Sequence, residues 1–137
     1  MMRFLTGAVL AAALALLSRS AHADEASTYR VAYMQVANDC NKDGLTLSKG
    51  DVVVKGGTGN TLTVAIPGVP VMKGTRTTSG KFKAESRGAS DRPGVQGKFS
   101  SSGRASKGSL QMVFIVEFYR GKRPLCTQSW SATGQSK

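Results

Sequence analysis

The chain has 137 residues, with 19 Lys and Arg against 8 Asp and Glu, a formal net charge of +11, one histidine and two cysteines. That length supports one domain and one core. Any form of the chain lacking His22 has no imidazole, which excludes Ser-His-Asp and Cys-His catalysis and the His-containing zinc sites of most hydrolytic metalloenzymes.

Met1 to Arg3 make a short positive start, and "FLTGAVLAAALALL" (Phe4 to Leu17) is an apolar run too short for a comfortable membrane span. "SRSAHA" then places small residues at Ala21 and Ala23, the A-x-A pattern of a signal-peptidase site. The expectation is a signal peptide over residues 1–23 and a single all-β domain over residues 24–137, periplasmic or secreted. Losing Arg3, Arg19 and His22 leaves 17 basic residues against 8 acidic ones.

"TYRVAYMQV" (Thr28 to Val36) alternates Tyr29, Val31 and Tyr33, which predicts a first strand. "NDCNKDG" follows, with Asp39, Asn41 and Asp43 spaced like the opening ligands of a calcium loop. The twelfth position of such a loop needs a bidentate glutamate and is Gly50 here, with Asp51 out of register, so the stretch reads as an Asx-rich turn with at most weak calcium affinity.

"LTLSKGDVVVK" (Leu45 to Lys55) reads as a hairpin turning at Lys49 to Asp51. "GGTGN" is a turn without the lysine and helix of a phosphate loop, and "TLTVAI" is a strand. "IPGVPVM", with two prolines, is an edge or a bend. Weaker strands are expected around Lys81 to Ser86 and Val95 to Ser101, with Phe82 and Phe99 as core residues, and "SRGASDRPG" (Ser86 to Gly94) reads as a loop. Leu110, Met112, Phe114, Val116 and Phe118 share one face of a long central strand. Cys126, Gln128, Trp130 and Ala132 share one face of the last. Seven to nine short strands joined by frequent turns predict an antiparallel meander closed as a small barrel or sandwich.

Cys40 follows the first strand and Cys126 lies in the last. In an oxidising compartment an even count reads as a disulfide, here fastening the two chain ends; free thiols or a bond to another chain are the alternative.

The carboxy-terminal third carries Gly97, Phe99, Gly103, Gly108, Cys126, Trp130 and Ala132, with Cys40 upstream. In this it resembles small exported bacterial single-disulfide β proteins of unknown function. The resemblance implies the fold and brings no functional residues with it.

Charge supplies the functional expectation. Lys73, Arg76, Lys81, Lys83, Arg87, Arg92, Lys98, Arg104 and Lys107 face only Glu85 and Asp91 in the same stretch, and the "YRGKRP" turn adds Arg120, Lys122 and Arg123. Outward lysines and arginines on paired strands would attract an anionic surface, polysaccharide, lipid head group or acidic protein. Nucleic acid is disfavoured because the two phenylalanines of the region are assigned to the core. The expected role is a non-enzymatic binding module without a cofactor. The alternatives are a small barrel inhibitor of a secreted enzyme, acting through a loop or the "DEASTY" tail, and a purely structural envelope protein whose lysines only keep it soluble.

Overall fold

Period-two alternation of apolar side chains becomes eight strands in the computed structural model, which describes residues 26–41 and 44–137. They are β1 (Ala26–Asn38), β2 (Lys49–Gly56), β3 (Thr61–Ala65), β4 (Met72–Arg76), β5 (Lys81–Ala89), β6 (Gln96–Ala105), β7 (Ser109–Arg120) and β8 (Arg123–Ser136). Each pairs antiparallel with its neighbour in sequence, and β1 pairs with β8 to close a barrel. The expected signal peptide and its cleavage point lie outside the described residues.

The closing ladder runs from Tyr29 opposite Ser136 to Asn38 opposite Gln128, with a bulge between Gln35 and Ala37. Beside it the Cys40–Cys126 disulfide joins positions 86 residues apart in sequence, with Cα atoms 5.0 Å apart. The expected bond therefore forms, where the meander meets itself.

Eight strands leave an interior just wide enough for side chains to fill it. Trp130, Phe114, Met72, Leu110, Gln128 and Val116 fill this one, all with under 2% exposure. The Trp130 ring stacks on Phe114, with centroids 5.6 Å apart. Outward positions of β5 and β6 are mostly polar or charged, while Met34, Val36, Val71 and Val113 are the exposed large apolar side chains among the described residues.

Both barrel ends are closed by the chain itself. At one end the Tyr29 hydroxyl donates to the Ser106 carbonyl oxygen at 2.6 Å. At the other, Gln128 accepts from the Leu45 amide at 2.8 Å and donates to the Leu45 carbonyl oxygen at 3.0 Å. A buried side chain thus satisfies both backbone groups of a residue that belongs to no strand. Gly44 lies flat on the same glutamine, where any Cβ would collide with its amide.

Three expectations need correction. Lys49 to Asp51 do not turn: they pair in register with β1, Gly50 opposite Val31, while Leu45 and Leu47 pack on the core from a loop held by Gln128. Met72–Arg76 is a strand, β4, although Met72 is its only buried residue, because β3 and β5 both pair with it. Ser86 to Ala89 continue β5 and pair with β6 as far as Gln96, leaving Ser90 to Val95 as the connection. The "IPGV" stretch does bend: Gly68 has φ of +83° behind Pro67, and the Val69 amide donates to the Ile66 carbonyl oxygen at 3.0 Å.

Two measurements test this packing. Replacing Gln128 by Leu leaves the Leu45 amide and carbonyl unsatisfied, so denaturant unfolding should show a loss of about 2 to 4 kcal/mol. The Tyr33 hydroxyl is shielded without a hydrogen-bond partner, and burial pushes its pKa up to about 12 from 10.0. The folded chain holds that proton more tightly than the unfolded one. Its contribution to stability is therefore intact below pH 10.0 and is lost as the pH rises through about 12. Tyr33→Phe should flatten this alkaline loss and raise neutral-pH stability by about 1 kcal/mol.

Candidate anion-binding face

Strand parity decides which cations share a surface. On β5, Phe82 and Ala84 point into the core, so Lys81, Lys83, Glu85 and Arg87 point out; on β6, Phe99 and Ser101 point in, so Lys98, Ser100, Ser102 and Arg104 point out. The β5–β6 ladder then sets Lys81 opposite Arg104, Lys83 opposite Ser102, Glu85 opposite Ser100 and Arg87 opposite Lys98. Both ends of one ladder carry a pair of cations facing each other.

Like charges directly opposite on adjacent strands are destabilising. Here they have little relief. Arg30 pairs with Asp51 at 3.7 Å and Lys137 with the same carboxylate at 3.1 Å, both of them at β2 and away from this ladder. Lys73 stands opposite Glu85 across the β4–β5 ladder, and Lys98 has Glu117 on its other side. The Glu117 carboxylate accepts from the Tyr119 hydroxyl at 3.0 Å, which raises the tyrosine pKa.

The outer surface along this ladder is hollowed. At the level of Lys81 and Lys83 a trough of about 810 Å³ crosses the strands from Thr75 on β4, past Arg104, Gln111 and Val113, to Thr133 on β8. A second hollow of about 410 Å³ lies by Lys83, Glu85, Ser100 and Ser102, and a third of about 300 Å³ by Arg87, Lys98, Tyr119 and Lys122. Gly103 helps make the first: a Cβ there would strike the Gln111 carbonyl oxygen, so only glycine lets β6 lie this close to β7.

The remaining expected cations lie off this row. Arg76 borders the trough from β4, but it has inward parity and its guanidinium lies over Gly56 at the barrel mouth. Arg92 belongs to the Ser90–Val95 connection, and Lys107 to the turn between β6 and β7. Arg120 and Arg123 face each other at the β7–β8 turn. Of the basic residues singled out in the sequence, Lys81, Lys83, Arg87, Lys98 and Arg104 therefore form one row, with Lys73 and Lys122 flanking it. Sequence reasoning missed the hydroxyls and amide interleaved with them, Thr75, Ser100, Ser102 and Gln111, because serine and threonine mark turns and strands alike.

The Asx-rich reading of the first turn holds: the Asn38 side chain accepts from the Cys40 amide at 2.8 Å, and Asn41 has φ of +57°. Asp39 accepts from the Thr127 amide at 2.7 Å, which commits one carboxylate oxygen to closing the β1–β8 seam. Cys40 and Cys126 lie beside Asp39, but in the disulfide they offer no thiolate to a metal. Asp43, the third residue of the calcium pattern, lies outside the described residues. In the "DEASTY" tail, Ala26 to Thr28 are paired with Val53 to Lys55, while Asp24 and Glu25 lie outside the described residues.

No family model, curated protein or solved structure matches the chain.

If the facing cations repel, neutralising one member should relieve strain. Lys81→Gln and Arg87→Gln should each leave thermal stability unchanged or raise it by about 0.3 kcal/mol, with the gain shrinking as salt is added.

Proposed function

We propose that the chain is an exported, non-enzymatic binding module that recognises an anionic ligand of the cell envelope or its surroundings through the outer face of β5 and β6. The observation that carries this reading is the row Lys81, Lys83, Arg87, Lys98 and Arg104, with Glu85 as the one carboxylate on the same two strands' outer face. A concentrated field of this kind attracts phosphate or carboxylate and accelerates encounter. Cations kept only for solubility need no shared ladder and no hollow beneath them.

The disulfide suits a periplasmic or secreted location, where oxidising conditions preserve it. The non-enzymatic part of the reading is supported by the two acids nearest this face: Glu85 and Glu117 both point outward, on strands separated by β6, and Glu117 is engaged by Tyr119. Neither has the enclosed partner that separates the pKa values of a carboxylate pair.

Phosphocellulose chromatography tests the location of the binding face. Lys83→Glu with Lys98→Glu should elute at much lower salt than the parent chain. Lys49→Glu with Lys55→Glu, an equal charge change on β2, should elute close to the parent. Equal shifts for the two pairs would mean that net charge alone governs retention, and the assigned face would be wrong.

A further inference from the structure

The facing cation pairs Lys81–Arg104 and Arg87–Lys98 are six residues apart along one ladder, which at a strand rise of about 3.3 Å sets them about 20 Å apart. The three hollows contain, in order, each successive outward pair between them: Lys81 with Arg104, Lys83 with Ser102, Glu85 with Ser100, and Arg87 with Lys98. A single phosphate or carboxylate would occupy one end and leave the other pair unrelieved. A ligand that relieves both must carry repeated negative charge along an extended chain.

Resting on the anion-binding reading above, we infer that the ligand is a linear acidic polysaccharide lying along the β5–β6 furrow, with an anionic group at each cation pair. In the middle of the furrow Lys83 is balanced by Glu85, and Thr75, Ser100, Ser102 and Gln111 lie beside Val113 and Ile115, a mixture of hydroxyl, amide and apolar surface that complements the hydroxyls and C–H faces of sugar rings. Single-stranded nucleic acid has the repeated charge but needs a run of stacking platforms, and the lining of these hollows offers one ring, Tyr119 at the Arg87–Lys98 end, while Phe82 and Phe99 are buried in the core. An acidic peptide would find no open strand edge to pair with, because β5 and β6 are paired on both sides. An anionic bilayer would meet no exposed large apolar side chain on β5 or β6 to insert; Val71, 51% exposed just before β4, and Val113, 44% exposed on β7, stand on either side of these strands.

Fluorescence polarisation with labelled oligogalacturonates of increasing length reads out the inference. Affinity should rise with length until the oligomer spans both pairs, then level off. Lys81→Gln with Arg104→Gln, and Arg87→Gln with Lys98→Gln, should each weaken the long oligomer about tenfold and cut its advantage over the short one. Lys49→Gln with Lys55→Gln should not, and each variant's melting temperature confirms that it is folded. Affinity independent of length, or equal affinity for single-stranded DNA of matched charge, overturns the polysaccharide assignment. If phosphatidylglycerol vesicles bind through this face and oligogalacturonates do not, only the ligand class fails. If no anion binds through it, the broader reading fails as well.

Discussion

Closure of β1 on β8 is the constraint on which the rest of this structure depends. Seven of the eight ladders join strands adjacent in sequence, all through short connections except β1–β2, which spans Asp39 to Ser48. The eighth joins the ends of the chain, and its loop-closure entropy must be met by contacts formed late. Three features act at that seam: the β1–β8 ladder, the Cys40–Cys126 bond, and the Asp39 carboxylate on the Thr127 amide. A cross-link over 86 residues restricts the unfolded chain, with a ceiling of about 4 to 5 kcal/mol in the chain-entropy model. Gln128, one strand position from Thr127, then fastens the loop that follows Cys40.

A closed barrel with a filled interior moves any function to its outside or its ends. The β5–β6 ladder is not part of the seam, although the trough beside it reaches Thr133 on β8, and its side chains project from paired strands. Their spacing is fixed by the strand rise and does not depend on loop conformation. Repulsion across Lys81–Arg104 and Arg87–Lys98 is a modest cost that a barrel fastened at its seam can bear. An anion bound between the members of a pair would turn the same geometry into attraction, which links the site's energetics to occupancy.

How much of this was legible in the sequence varied with the strength of alternation. β7 was read correctly because its five apolar inward positions are uninterrupted, and β8 because Trp130 and Cys126 fix its parity. β4 escaped because Met72 is its one buried side chain, and β5 was cut short because Ser86 and Gly88 carry no apolar signal. Gly50 imitated a turn inside β2, and only pairing with Val31 shows it to be strand. The basic region was visible as composition, but register was not. Whether Lys81 faces Arg104 or a serine depends on how the Ser90–Val95 connection sets the ladder, and a shift of one residue would have scattered the row. Arg76 shows the same limit, since its place in β4 turns it toward the barrel mouth.

The most direct measurement is a backbone amide chemical-shift titration of the disulfide-bonded chain with an acidic oligosaccharide. Shifts should concentrate on Lys81 to Arg87 and Lys98 to Arg104, disappear at high salt, and leave β1 and β2 unmoved. Shifts centred on β1 and β2, or on the Arg120 to Arg123 turn with the β5–β6 ladder silent, would contradict the assignment of the binding face.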